Sequence, residues 1–154
     1  MKGVKPIRKR RNYKEFWLNV LKNADREVKI FNCDIDDMPK AVVLKIAERI
    51  TKSFPCYINV WQSREKPKNF HLHVELKEPM KLWQTIIARL LSFDDHKRIR
   101  MDLIRCGNNQ ADLCDYISLR KYQYNIETKQ LTLISNYRLI GEFQSGEIEK
   151  CEMN

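Results

Sequence analysis

The chain has 154 residues, which suits one domain and leaves little room for a second. Its 43% hydrophobic content excludes a disordered chain, and the absence of any apolar run near membrane-span length means that no membrane partner is expected. With 29 Lys and Arg against 20 Asp and Glu, the net charge of +9 makes a field that attracts polyanions. Nucleic acid is then the first expected partner, and a surface charged for solubility or heat stability the alternative.

Residues 1–13 form a basic arm, with Lys5, Arg8, Lys9, Arg10 and Arg11 as candidate phosphate contacts. A single domain is expected over 14–145, followed by a frayed tail over 146–154. A short helix over 14–23 carries Phe16, Trp17, Val20 and Leu21 on one face. Residues 28–36 (VKIFNCDID) read as a strand, with Ile30, Asn32, Asp34 and Asp36 on one side and Phe31, Cys33 and Ile35 on the other. Pro39 opens a helix over 40–53 whose stripe is Val42, Val43, Ile46, Ala47 and Ile50. Strands over 57–62 and 70–76 flank a polar loop and read as a hairpin. A helix over 81–92 has Leu82, Trp83, Ile86, Ile87, Leu90 and Leu91 as its expected buried stripe. Residues 98–104 alternate and are expected as a strand, as are 116–126 and 130–143. The expected fold class is α+β: a mainly antiparallel, RRM-like sheet with helices packed on one face.

The five cysteines, Cys33, Cys56, Cys106, Cys114 and Cys151, show no C-x-x-C spacing, so a zinc finger is not expected. With no signal peptide they read as thiols of a reducing, cytoplasmic compartment.

Residues two apart on a strand point the same way, roughly 6–7 Å apart. Asp34 and Asp36 therefore pair two carboxylates on one face, where they repel unless a hard cation such as Mg²⁺ or Mn²⁺ lies between them. A solvated strand end and helix cap is the bland alternative, and it accounts for Asp37 better than for Asp34. In FHLHVEL, Phe70, Leu72, Val74 and Leu76 share one face and His71, His73 and Glu75 the other. Two of the three histidines thus project together, suited to a metal or a triphosphate. The preceding loop offers Ser63, Arg64, Lys66 and Lys68 to phosphate oxygens. In RIRMDLIR, Asp102 shares its face with Arg98 and Arg100, a pattern that also fits a surface ion pair.

Taken together, FNCDID, the Ser63 loop with HLHV, and RIRMDLIR resemble, in order, the motifs of the archaeo-eukaryotic primase superfamily, over about residues 28–120. The resemblance implies a nucleotidyltransferase of DNA replication or repair that acts on nucleoside triphosphates and a single-stranded DNA or RNA template, with further replication proteins as possible partners. It implies that Asp34, Asp36 and Asp102 hold two divalent ions, Mg²⁺ or Mn²⁺, that His71 contacts the nucleotide phosphates, and that Arg120 lies in a following basic motif. The loop before His71 contains no glycine, whereas the family's is glycine-rich. His71-Leu72-His73 also resembles the metal-binding signature of HUH endonucleases. There the two histidines would be the ligands, and one of Tyr116, Tyr122 or Tyr124 the nucleophile. A third reading is a binding module without catalysis, stacking bases on Tyr57, Trp61 and Phe70, although the parity of Phe70 points it at the core.

Overall fold

The computed structural model describes residues 12–115, 120–135 and 137–146. Lys5, Arg8, Lys9, Arg10 and Arg11, together with Tyr116 and Cys151, lie outside the described residues. So do the side chains of Arg120, Tyr122 and Tyr124, although the backbone there is described. No described helix is long and apolar enough to cross a membrane.

The elements in chain order are α1 (Tyr13–Ala24), β1 (Glu27–Ile35), α2 (Lys40–Ser53), β2 (Cys56–Ser63), β3 (Phe70–Lys81), α3 (Leu82–Leu91), α4 (His96–Gly107), a 3₁₀ turn (Ala111–Leu113), β4 (Arg120–Asn125), β5 (Gln130–Ser135) and β6 (Tyr137–Gln144). Four strands form an antiparallel sheet in the order β1-β3-β2-β6, while β4 and β5 pair as a separate hairpin. Both β1 and β2 run antiparallel to β3, so they are parallel to each other, and α2 makes the crossover. The α+β class is as expected.

Period-two patterning sends Phe31, Cys33, Ile35, Ile58, Val60, Phe70, Leu72 and Val74 to one face of the sheet. There they bury completely against Val43, Ile46, Ala47 and Ile50 of α2 and Ala88 of α3. Each large apolar side chain so buried contributes about 1.5–3 kcal/mol. Every core residue drawn from one strand parity leaves its neighbour of the opposite parity on the far face. That far face carries Asn32, Asp34, His71 and His73.

Three expectations are corrected. Residues 96–107 form helix α4, not a strand. Ile99, Asp102, Leu103 and Cys106 recur at helical spacing, and Ile99 and Cys106 pack with Val20, Leu82 and Ile86 in a second core, while Met101 of the apparent alternation stays exposed. Asp95 caps this helix by accepting the Lys97 amide at 2.9 Å. Helix α3 is rotated from its expected stripe: Leu82, Thr85, Ile86, Ala88 and Arg89 are buried, and Trp83, Ile87, Leu90 and Leu91 are exposed. The cause is Arg89, whose fully buried guanidinium is anchored by carboxylates and turns its own face inward. The segment expected as one strand over 130–143 divides, its first part pairing with β4 and its second with β2.

Helix α1 buries Val20 and half-buries Phe16 while Trp17 and Leu21 remain exposed, and in α2 Val42 likewise lies outside the core. Phe16 sits so close to the end of α4 that a Cβ on Gly107 would come within 2.0 Å of its ring. Asn19 and Asn23 complete the contact by donating to the carbonyls of Gly107 and Cys106, at 3.1 and 2.8 Å.

Candidate functional site

The face of the sheet opposite the helices is built in cross-strand rows. Asn32 of β1 is paired with His73 of β3, and Asp34 with His71. These pairings turn two strand patterns into one polar surface.

The His71 Nε2 lies 2.9 Å from Asp34 Oδ1. A carboxylate accepts, so Nε2 carries the hydrogen. The ring is held on its other side by Tyr137, stacked at 4.2 Å between centroids and 26° between planes. Tyr137 is the register partner of Ser63 at the end of β2. The remaining nitrogen, His71 Nδ1, is buried and has no hydrogen-bond partner among the described residues. A buried imidazole with one position unused can accept one further ligand. His73 is tied differently: its Nδ1 donates to Asn32 Oδ1 at 2.7 Å, and its Nε2 lies 3.4 Å from Glu75.

Asp36 lies just past the end of β1 and is exposed. Its carboxyl nevertheless holds its proton more tightly than usual. Partial burial is the first cause, and repulsion from Asp34 and Asp95 follows, with His71 and Lys66 opposing. Asp36 thus feels the negative charge of both Asp34 and Asp95. Tyr137 faces the same charges: burial first, then Asp34 and Asp36, pushes its phenol up.

The loop between β2 and β3 is fastened beside these acids. Ser63 is buried, and its Oγ accepts the Lys66 amide at 3.1 Å, so it shapes the loop. Gln62 donates to the Pro67 carbonyl at 2.7 Å, and the Met38 amide donates to the Lys68 carbonyl at 3.0 Å. Arg64, Lys66 and Lys68 are exposed on it. Lys68 lies 3.8 Å from Asp37, an exposed pair of little energetic weight.

Asp102 does not join the pair on the sheet. It is buried on α4, accepting from Arg89 Nη1 at 2.8 Å, from Arg105 Nη1 at 3.0 Å and from the Asp115 amide at 3.0 Å. Buried and accepting from two arginines and an amide, this carboxylate is turned toward the arginines rather than toward Asp34. It belongs to an ionic layer beside β1 in which Arg89, Arg98 and Arg105 face Asp94, Asp102 and Asp115. Burial works against the charge on Arg89, and Asp115 and Asp94 more than offset it, so the guanidinium keeps its proton. Burial pushes Asp115 up to about 6 despite the pull of Arg89 and Arg98. This layer holds the site strand. Asp94 Oδ1 accepts the Asp34 amide at 2.6 Å, Asp115 Oδ2 accepts the Asn32 amide at 2.7 Å, and the Asp95 amide donates to the Asp34 carbonyl at 3.0 Å.

Asp94, Asp95, Asp115 and Tyr137 were not among the sequence candidates. For Asp94 and Asp95 the available signal was an acidic pair at a helix start, which by itself reads as a cap. Among the described residues no three His, Cys, Asp or Glu side chains are grouped to hold a metal ion. No family model, curated protein or solved structure matches this chain.

Proposed function

We propose that the protein binds nucleic acid and carries out metal-dependent nucleotidyl transfer on the open face of its sheet, as its resemblance to primase-polymerases implies. The observation that carries this reading is the 2.9 Å contact of Asp34 with His71 on that face, with Asp36 close enough to feel both charges, beside a loop bearing Arg64, Lys66 and Lys68.

The donor set fits a divalent cation. Asp34 and Asp36 supply hard oxygens, and their mutual repulsion marks a place where positive charge is missing. Held there, Mg²⁺ or Mn²⁺ would neutralise and orient phosphate oxygens. Asp95 is a further acid whose charge acts on Asp36, whereas Asp102 is engaged in the ionic layer. His71 is fixed by Asp34 and Tyr137, and as an imidazolium it would donate from its otherwise unused Nδ1 to a phosphate oxygen. The loop cations draw a triphosphate or a template phosphate toward the acids. The cell's interior, with its nucleotides and reduced thiols, is the setting this chemistry needs.

The partners of the two histidines favour this reading over a two-histidine endonuclease site. His71 is committed to Asp34 and His73 to Asn32, so the rings serve different residues of β1. Incubation with Mn²⁺, labelled nucleotide and single-stranded template tests it, with a parallel search for a covalent protein–DNA adduct. His71→Ala is expected to cut incorporation at least tenfold while sparing Mn²⁺ binding, and His73→Ala to cost less. Loss of metal affinity in both variants, together with an adduct on Tyr116, Tyr122 or Tyr124, would reverse the assignment.

The arm adds a second expectation. Removing residues 1–11 takes away six basic residues and leaves Asn12, the cap of α1, in place. Nucleic-acid binding is expected to weaken without change of sequence preference. The slope of log affinity against log salt should flatten by about 0.9 for every phosphate that the arm neutralises. An unchanged slope would show that the arm touches no phosphate.

A further inference from the structure

Cys106 and Cys114 have no role in the site above. Cys106 ends the buried stripe of α4 at 1% exposure. Cys114 follows the 3₁₀ turn, is half-buried, and lines an open cleft of about 500 Å³ with Asn32, His73, Arg105 and Asp112. The two sulfurs lie 3.7 Å apart and share a hydrogen bond. Cys33 and Cys56, by contrast, are sealed in the sheet core. The seven-residue gap between Cys106 and Cys114 matches no metal or redox motif, which is why the sequence did not single the pair out.

We propose that Cys106 and Cys114 form a redox-active dithiol, oxidised to an internal disulfide by a low-molecular-weight disulfide that enters this cleft. The inference does not depend on the nucleotidyl-transfer reading. The sulfurs need to approach by less than 2 Å to reach the bond length of roughly 2.0 Å. The accessible Cys114 thiolate attacks one sulfur of the small disulfide, whose own S–S bond breaks and releases one thiolate. The Cys106 thiolate then attacks the Cys114 sulfur, the mixed disulfide breaks, and the second small thiolate leaves. Two protein thiols are oxidised and one disulfide is reduced to two thiols, which take up the two protons.

The order rests on access, since Cys114 lines the cleft and Cys106 is buried. The shared hydrogen bond lowers the Cys106 thiol and raises that of Cys114, so the pair ionises first at the buried sulfur. Cys114 attacks once it has passed its proton to Cys106 across the 3.7 Å contact. The bond would close a ring of nine residues and tie α4 to the residue before Asp115. Asp115 has a left-handed backbone (φ 58°), and its carboxylate holds Arg98 and the Asn32 amide. The oxidised pair would thus fix the turn that steadies β1.

The test uses the full chain with Cys151→Ser, treated with oxidised glutathione, acid-quenched and read by intact mass and peptide mapping. The expected product has lost two hydrogens and contains a Cys106–Cys114 linked peptide, with Cys33 and Cys56 still reduced. Its Tm is expected to rise by roughly 5–10 °C and to fall back on reduction. Cys106→Ala should trap a glutathione adduct on Cys114, and Cys114→Ser should resist oxidation. A native pair that stays reduced, or that stops at the mixed disulfide, overturns the proposal, as does a linkage to Cys33 or Cys56. The unsubstituted pair decides the matter should Cys106→Ala fail to fold.

Discussion

Replacing Asp34 with Ala is expected to abolish metal-dependent nucleotide incorporation while leaving the fold in place. Asp34 is the residue on which the site converges: its Oδ1 receives His71, and its charge raises the proton affinity of both Asp36 and Tyr137. Losing a carboxylate ligand removes several kcal/mol of charge stabilisation, so the rate should fall by at least about a hundredfold. The fold should survive because the backbone bonds of Asp34 to Asp94 and Asp95 do not involve its side chain. Removing one of two repelling acids also relieves strain in the metal-free chain. Asp37→Asn is the matched control, since Asp37 is exposed and outside the cluster. The checks are incorporation assays, Mn²⁺ titration and thermal melts on the three proteins. Retained activity in Asp34→Ala would remove the acid pair from the mechanism.

The largest loss of stability is expected from Arg89→Met. Methionine matches the stem of arginine but leaves Asp94 and Asp102 buried, with side-chain exposures of 0 and 2%, short of their shared cation. Breaking a buried ion pair by removing one partner costs about 3–5 kcal/mol. In a chain of this length that lowers Tm by roughly 6–20 °C. The damage should reach the site, because Asp94 loses the anchor from which it holds the Asp34 amide. Adding Asp102→Leu to Arg89→Met removes one orphaned charge and should recover part of the loss. A melt of Arg89→Met within about 2 °C of the parent, well short of that range, would mean that water or Arg98 compensates fully, at odds with the burial of the layer.

Much of the sheet was readable because its two faces differ in chemistry. Phe31, Cys33 and Ile35 alternate with Asn32 and Asp34, and Leu72 and Val74 with His71 and His73. Period two therefore assigned both the core and the polar face. The same rule misled at residues 98–104, where Ile99, Met101 and Leu103 alternate by accident. The true helical stripe there includes Asp102, and a charged residue on a buried stripe erases the apolar signal. Arg89 hides in α3 for the same reason. Charges buried by mutual neutralisation are satisfied by partners distant in sequence, and a local window does not contain those partners. The acid pair and His71 were thus legible from single strands. Asp102, expected on the same face, is drawn instead into the ionic layer by partners on other elements.

The bonds that hold β1 also have a bearing on how this protein behaves at high concentration. β1 is the outermost strand on its side of the sheet, and such a strand normally presents free amides and carbonyls on which another chain can template. Here the outward amides of Asn32 and Asp34 are already taken by the carboxylates of Asp115 and Asp94, and the Asp34 carbonyl by the Asp95 amide. An incoming strand would have to displace charged groups that are themselves locked to arginines. Over Asn32 to Asp34 this border is therefore guarded against edge-to-edge pairing.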